Sequence, residues 1–196
     1  MAKTHHVTFN ALDRSAEIER SCRNLPHWFQ AGAAMFVTFR AADSLPRDVI
    51  MRMQRELEEW LSSKSLPLEL ATSIVDCQSP SYLRRLAHIT ASKRKQFRKQ
   101  VDRLYQDSLD ECHGKCVLAR PELAKIVADA VLYRDDDAYD LDSFVVMPNH
   151  VHALVQFRGP GGMALIGQSW MRYSARLINR STGSSGTFWQ PEPFDH

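Results

Sequence analysis

The alternation of apolar and polar positions divides the chain into a short series of elements. Residues 33–40, Ala-Ala-Met-Phe-Val-Thr-Phe-Arg, are rich in β-branched and aromatic side chains and predict a buried strand. Asp43 and Ser44 then offer a helix cap, and Pro46 suits a first helical turn. Val49, Ile50, Met53, Leu57, Trp60 and Leu61 recur at helical spacing and predict an amphipathic helix. Residues 62–67 break that period and predict a linker. A long helix is expected after Pro80, with Leu83, Leu86, Phe97, Val101 and Leu104 on one face, ending at 110–114. Pro121 opens another, with Leu123, Ile126, Val127, Ala130 and Val131 inward. The acidic tripeptide 135–137 reads as a solvated turn.

Two apolar stretches, 139–147 and 151–157, are separated only by Pro148, Asn149 and His150, which predicts a β-hairpin. Residues 159–162, Gly-Pro-Gly-Gly, read as a flexible break, and a last helix is expected over 163–179. Residues 1–24 show no clear period and predict an extended N-terminal arm. The order of elements, with its antiparallel hairpin, argues for an α+β fold with helices on one sheet face. It covers residues 25–196 and carries a helical insertion at about residues 62–113.

Composition adds modest constraints. With 196 residues, 44% of them hydrophobic, the chain can bury one real core, which favours one domain with an insertion. Its apolar runs are too short to span a bilayer, and its first residues lack the apolar stretch of a secretory signal. A soluble, cytoplasmic protein without membrane contact is expected. Four scattered cysteines, Cys22, Cys77, Cys112 and Cys116, suit a reducing compartment. The cluster at 112–116 lacks a second ligand pair at zinc-finger spacing, so ordinary thiols are the better reading.

Net charge is only +2, but its distribution is uneven. Residues 81–103 hold eight Lys or Arg against one acid, Asp102, a local balance of +7. Arg84, His88, Lys95, Lys99 and Arg103 form a stripe that suits nucleic acid, although a solvated helix face explains it too. Arg172, Arg176 and Arg180 fall at i, i+4 and i+8 on the last helix; they suit phosphate contacts or a solvated surface equally. Phe188 and Trp189 can stack on bases, but core packing is the better reading.

His150-Val151-His152 carries the sharpest chemistry. In a strand, residues i and i+2 share a face, so two imidazoles project together and form half of a divalent-ion site. The plain alternative is a pair of exposed strand histidines. The surrounding phrase Val145-Val-Met-Pro-Asn-His-Val-His-Ala-Leu-Val155 closely resembles the signature of the REP-associated tyrosine transposases and their insertion-sequence relatives in the His-hydrophobe-His superfamily of single-strand endonucleases. Residues 25–40 and 43–46 look like that family's opening strand and turn, and 114–118 like the segment before its middle helix. Gln168-Ser-Trp170, Ile178-Asn179, Trp189-Gln190 and Phe194-Asp-His196 resemble its later blocks.

The resemblance implies a ferredoxin-like domain, a homodimer, that binds hairpin-bearing single-stranded DNA. It implies Mg²⁺ or Mn²⁺ held by His150 and His152, polarising a phosphate that a tyrosine attacks, with the 5′ end retained as phosphotyrosine. In the relatives that tyrosine lies downstream of the Asp-His block, where this sequence stops. Of the five tyrosines, Tyr82, Tyr105, Tyr133 and Tyr139 precede the histidines, and only Tyr173 follows them. Tyr173 is therefore the candidate nucleophile within the chain, but it shares a stripe with Ile166, Trp170 and Leu177, which favours packing. Gln190, Glu192, Asp195 and His196 are candidates for a third ligand. The rival expectation is a hairpin-binding module without catalysis.

Overall fold

The computed structural model describes residues 8–13, 15, 19–22, 26–30, 32–74, 80–159, 162–191 and 194–195. Two compact units emerge, Met1–Ala42 with Val117–His196, and Asp43–Cys116. The helical unit thus takes in the helix at 47–63 and begins earlier than the break at Ser62 suggests.

The first unit is built on an antiparallel sheet. Its strands are β3 (Ala34–Arg40), β4 (Tyr139–Val146), β5 (His150–Phe157) and the two-residue β6 (Phe194–Asp195), in the order β4-β5-β3-β6. The predicted hairpin is present, closed by Met147 N–H donating to His150 O at 2.8 Å. β1 (Glu19–Cys22), within the expected arm, pairs antiparallel with β2 (Pro26–Phe29) just beyond it. Helices α4 (Pro121–Leu132) and α5 (Gln168–Thr182) contribute to one core with the sheet. Met35, Val37 and Phe39 of β3 and Val151, Val155 and Phe157 of β5 join Leu123, Val127, Val131, Trp170, Met171 and Ile178 there. Each such large apolar side chain contributes about 1.5–3 kcal/mol by leaving water.

The polar tips inside this core are partnered. The Tyr139 hydroxyl donates to Val131 O and accepts from Trp170 Nε1 at 3.2 Å. Trp189 Nε1 donates to Ser174 Oγ at 2.9 Å, and the Ser174 hydroxyl donates to Trp170 O at 2.6 Å. Trp189 is buried and Phe188 packs beside it, as the core reading expected.

A bulge in β4 matters for the site. Register shifts between Leu141 and Ser143, so the residues packed on the core change from Tyr139 and Leu141 to Phe144 and Val146. The sequence Leu-Asp-Ser-Phe breaks strict alternation, and the bulge returns its apolar residues to the helix side. Val145 is thereby sent to the other face.

The second unit contains α1 (Arg47–Ser63), a 3₁₀ segment (Leu68–Ile74), α2 (Pro80–His88) and α3 (Ala91–Asp110). Its core joins Val49, Met53, Leu57 and Leu61 to Leu70, Tyr82, Phe97 and Leu104. The single long helix expected after Pro80 is two helices. Thr90 is extended and its side chain accepts from Lys93 N–H at 3.3 Å, an N-cap that starts α3 afresh. The break also removes Leu83 from the expected inward face; it is 47% exposed. Asp43 does not cap α1, whose N-cap is Pro46. Its carboxylate instead accepts from Lys115 N–H at 2.9 Å. No helix among the described residues is long and apolar enough to cross a membrane.

Candidate metal centre

Strand alternation decides what this centre contains. With Val37, Phe39, Val151 and Val155 committed to the helices, the residues between them face the other way. These are Phe36, Thr38 and Arg40 on β3 and His150, His152 and Leu154 on β5. Register sets Thr38 opposite His152 and Arg40 opposite His150, and Val145 of β4 lies across from His152 on its other side.

The two imidazoles converge. His150 Nε2 and His152 Nε2 lie 2.9 Å apart, with ring centroids 4.6 Å apart and planes at 77°. Each ring is backed by an outer oxygen. His150 Nδ1 donates to Asn149 Oδ1 at 2.8 Å, and His152 Nδ1 lies 2.7 Å from Thr38 Oγ1. Because an amide oxygen only accepts, His150 carries its proton on Nδ1 and turns the Nε2 lone pair toward His152. His150, Asn149 and Thr38 are buried, so these partners are held in place by packing. Phe36 stacks on the His152 ring, centroids 5.1 Å apart and planes at 24°.

Two neutral imidazole nitrogens are a borderline donor pair for a divalent ion. Two nitrogens 2.9 Å apart subtend roughly 90° at an ion ~2.1 Å from each. That is the angle between neighbouring ligands of an octahedral ion, narrower than a tetrahedral site needs. Among the described residues no group of three His, Cys, Asp or Glu side chains surrounds one point, so the imidazoles form a half-site. Of the third-ligand candidates, Gln190 donates its amide to Ala42 O at 2.9 Å, and Asp195 is placed only as backbone of β6. Glu192 and His196 lie outside the described residues.

The other predicted residues do not gather here. Tyr173 is 46% exposed with the Arg176 guanidinium 5.9 Å from its ring centre. It is no core residue, because Trp170, Met171, Ser174 and Ile178 supply the buried side of α5. That buried side packs on the sheet face away from the histidines. Arg172, Arg176 and Arg180 are all exposed on the same helix, and Arg172 donates to Gln168 Oε1 at 3.2 Å. Arg84 sits on α2 and Lys95, Lys99 and Arg103 on α3, all exposed. Arg103 pairs with Asp107 at 3.2 Å. The stripe thus belongs to the helical unit and is divided by the Thr90 break.

Sequence reading missed Thr38, Asn149 and Phe36. Asn149 was visible as a turn residue beside the histidines, and Thr38 and Phe36 as the odd polar and apolar positions of one strand. In the 112–116 cluster, Cys116 Sγ donates to Cys112 O at 2.7 Å, and burial pushes its thiol pKa up. No family model, curated protein or solved structure matches the chain.

Proposed function

We propose that this chain is a transposase-like, metal-dependent protein that nicks and rejoins single-stranded DNA bearing hairpins. The observation that carries the reading is the facing pair of imidazole nitrogens, 2.9 Å apart on the sheet face away from α4 and α5. Each is backed by its own outer oxygen. Exposed strand histidines with no task would not require a buried His150, an Asn149 partner and a Thr38 partner together. The strand order β4-β5-β3-β6 with α4 and α5 on one face supports a β-α-β-β-α-β, ferredoxin-like reading of the first unit, with the second unit as a helical insertion. The phrase at 145–155 and its resemblance to the tyrosine transposases supply the substrate class and the homodimer, and the scattered cysteines suggest a reducing, cytoplasmic setting.

In this reading His150 and His152 hold Mg²⁺ or Mn²⁺, and Asn149 and Thr38 orient the rings. The bound ion would offset charge on the phosphoryl oxygens of the scissile phosphate. A tyrosine oxygen forms the new bond to phosphorus, the bond to the 3′ oxygen breaks, and the leaving 3′ oxygen takes up a proton.

A second reading has its own observation. Tyr173, the only tyrosine after the histidines, rides on a helix packed against the opposite sheet face. A recognition module that binds the hairpin and an ion without cutting accounts for that placement. Both readings meet in one experiment with labelled hairpin DNA and Mn²⁺, read on a denaturing gel for wild type, His150→Ala, His152→Gln and Tyr173→Phe. Mn²⁺-dependent cleavage or a covalent adduct that both histidine variants lose is the expected result. Loss in Tyr173→Phe as well would make that residue the nucleophile. Binding without cleavage or adduct in any version would replace the nicking reading with the recognition module. No binding at moderate salt would reject both.

A further inference from the structure

We infer that Phe36 is a stacking platform for a nucleobase adjoining the phosphate held at His150 and His152. The inference rests on the nucleic-acid reading above and names what else the same face would grip. Phe36 lies in the middle of β3, between the buried Met35 and Val37, yet is 38% exposed. Its ring is nearly parallel to the His152 imidazole. On the other side of His152, Val145 is 44% exposed. Single exposed apolar residues are ordinary, but here two of them flank one imidazole of the candidate centre.

The company these side chains keep selects the occupant. An apolar helix or strand laid on Phe36 and Val145 would also cover the half-buried His152, stripping water from a polar ring. A nucleotide meets both demands. Its phosphate is the anion that an ion held by the paired imidazoles would attract, and its base offers a flat π-surface to an aromatic ring. A base stacked on Phe36 extends the existing Phe36–His152 stack by one ring. It cannot at the same time remain stacked inside a duplex, so the platform selects an unpaired strand beside the phosphate. Phe36 is thus a substrate-positioning residue that chooses single-stranded substrate without reading its sequence.

The test measures affinity by fluorescence anisotropy, with Mn²⁺ at fixed salt, for two probes. One is a DNA hairpin with a single-stranded flank, and the other is the same hairpin with a flank of abasic sugar-phosphate. Wild type should prefer the base-bearing flank by roughly tenfold, within the range of one base–aromatic stack. Phe36→Leu should lose that preference and Phe36→Tyr should keep it. Mn²⁺ binding of each variant, followed separately by electron paramagnetic resonance, reports whether the centre itself survives. Equal affinity of wild type for the two probes, or a preference that Phe36→Leu retains, overturns the platform and leaves the nucleic-acid reading standing. Failure of wild type to bind either probe overturns both.

Discussion

Replacing Thr38 by valine tests whether the centre is built to receive an ion. Valine keeps the shape of threonine at a buried position and removes only the hydroxyl that lies 2.7 Å from His152 Nδ1. For both Nε2 atoms to offer lone pairs to one ion, His152 must hold its proton on Nδ1, and the Thr38 oxygen is the group placed to accept it. Without it, the proton is better placed on Nε2, where it can donate to His150 Nε2 only 2.9 Å away and block the ion. The loss is one hydrogen bond to a part-buried N–H, about 1–1.5 kcal/mol net, so Mn²⁺ affinity should fall about tenfold, at the lower end for outer partners of metal ligands. Electron paramagnetic resonance titration measures the affinity. ¹⁵N shifts of the His152 ring with a diamagnetic ion such as Mg²⁺ report which nitrogen carries the proton. Thr38→Ser should retain most of the affinity, and thermal melting should barely change. Unaltered Mn²⁺ affinity in Thr38→Val, with the fold intact, would refute the claim that this hydroxyl orients His152.

Five further outcomes follow from other parts of the molecule. Phe39→Ala removes a ring packed edge-on to Trp189 at 4.9 Å and should cost about 3–5 kcal/mol in urea unfolding; a loss below one would mean the core closes around the gap. Gly162→Ala would set a Cβ 2.5 Å from Phe157 Cβ and should destabilise by about 1–3 kcal/mol. Gly159→Ala, with open space around it, should be nearly neutral in the same melts. Burial raises the Cys116 pKa, so less of it is thiolate at any pH near 8. Its alkylation, followed by mass spectrometry, should lag a small free thiol and catch up only as pH rises; equal rates at pH 8 would contradict the raised pKa. Changing Arg172, Arg176 and Arg180 together to Gln should flatten the dependence of log K on log salt for single-stranded DNA by about 2, if each contacts one phosphate. An unchanged slope assigns them to a solvated face.

What was legible in the sequence follows a physical division. β3, α1, α4 and the β4–β5 hairpin were readable because burial writes a period into the chain, and local turn chemistry marks where it stops. The break at Thr90 was not, since the apolar spacing of Leu83 and Leu86 continues smoothly into Phe97 and only the threonine cap interrupts it. Tyr173 was misjudged as core for a related reason: a helix stripe drawn through Trp170 and Leu177 includes it. The actual buried arc turns instead through Met171, Ser174 and Ile178. The two histidines were legible as a pair because both sit on one strand two residues apart.

Their partners are a different case. Thr38 is 114 positions away from His152 and meets it only through the β3–β5 register. A slip of one residue would turn Val37 or Phe39 toward the imidazole and expose the apolar set that α4 and α5 cover. That slip is prevented by Met35, Val37 and Phe39 on one strand and Val151 and Val155 on the other, all of which must reach the same core. The apolar pattern that the sequence displays therefore fixes, through register, polar neighbours that it does not display. It follows that core substitutions on β3 far from the histidines should weaken ion binding wherever they loosen this register, and leave it alone wherever they do not.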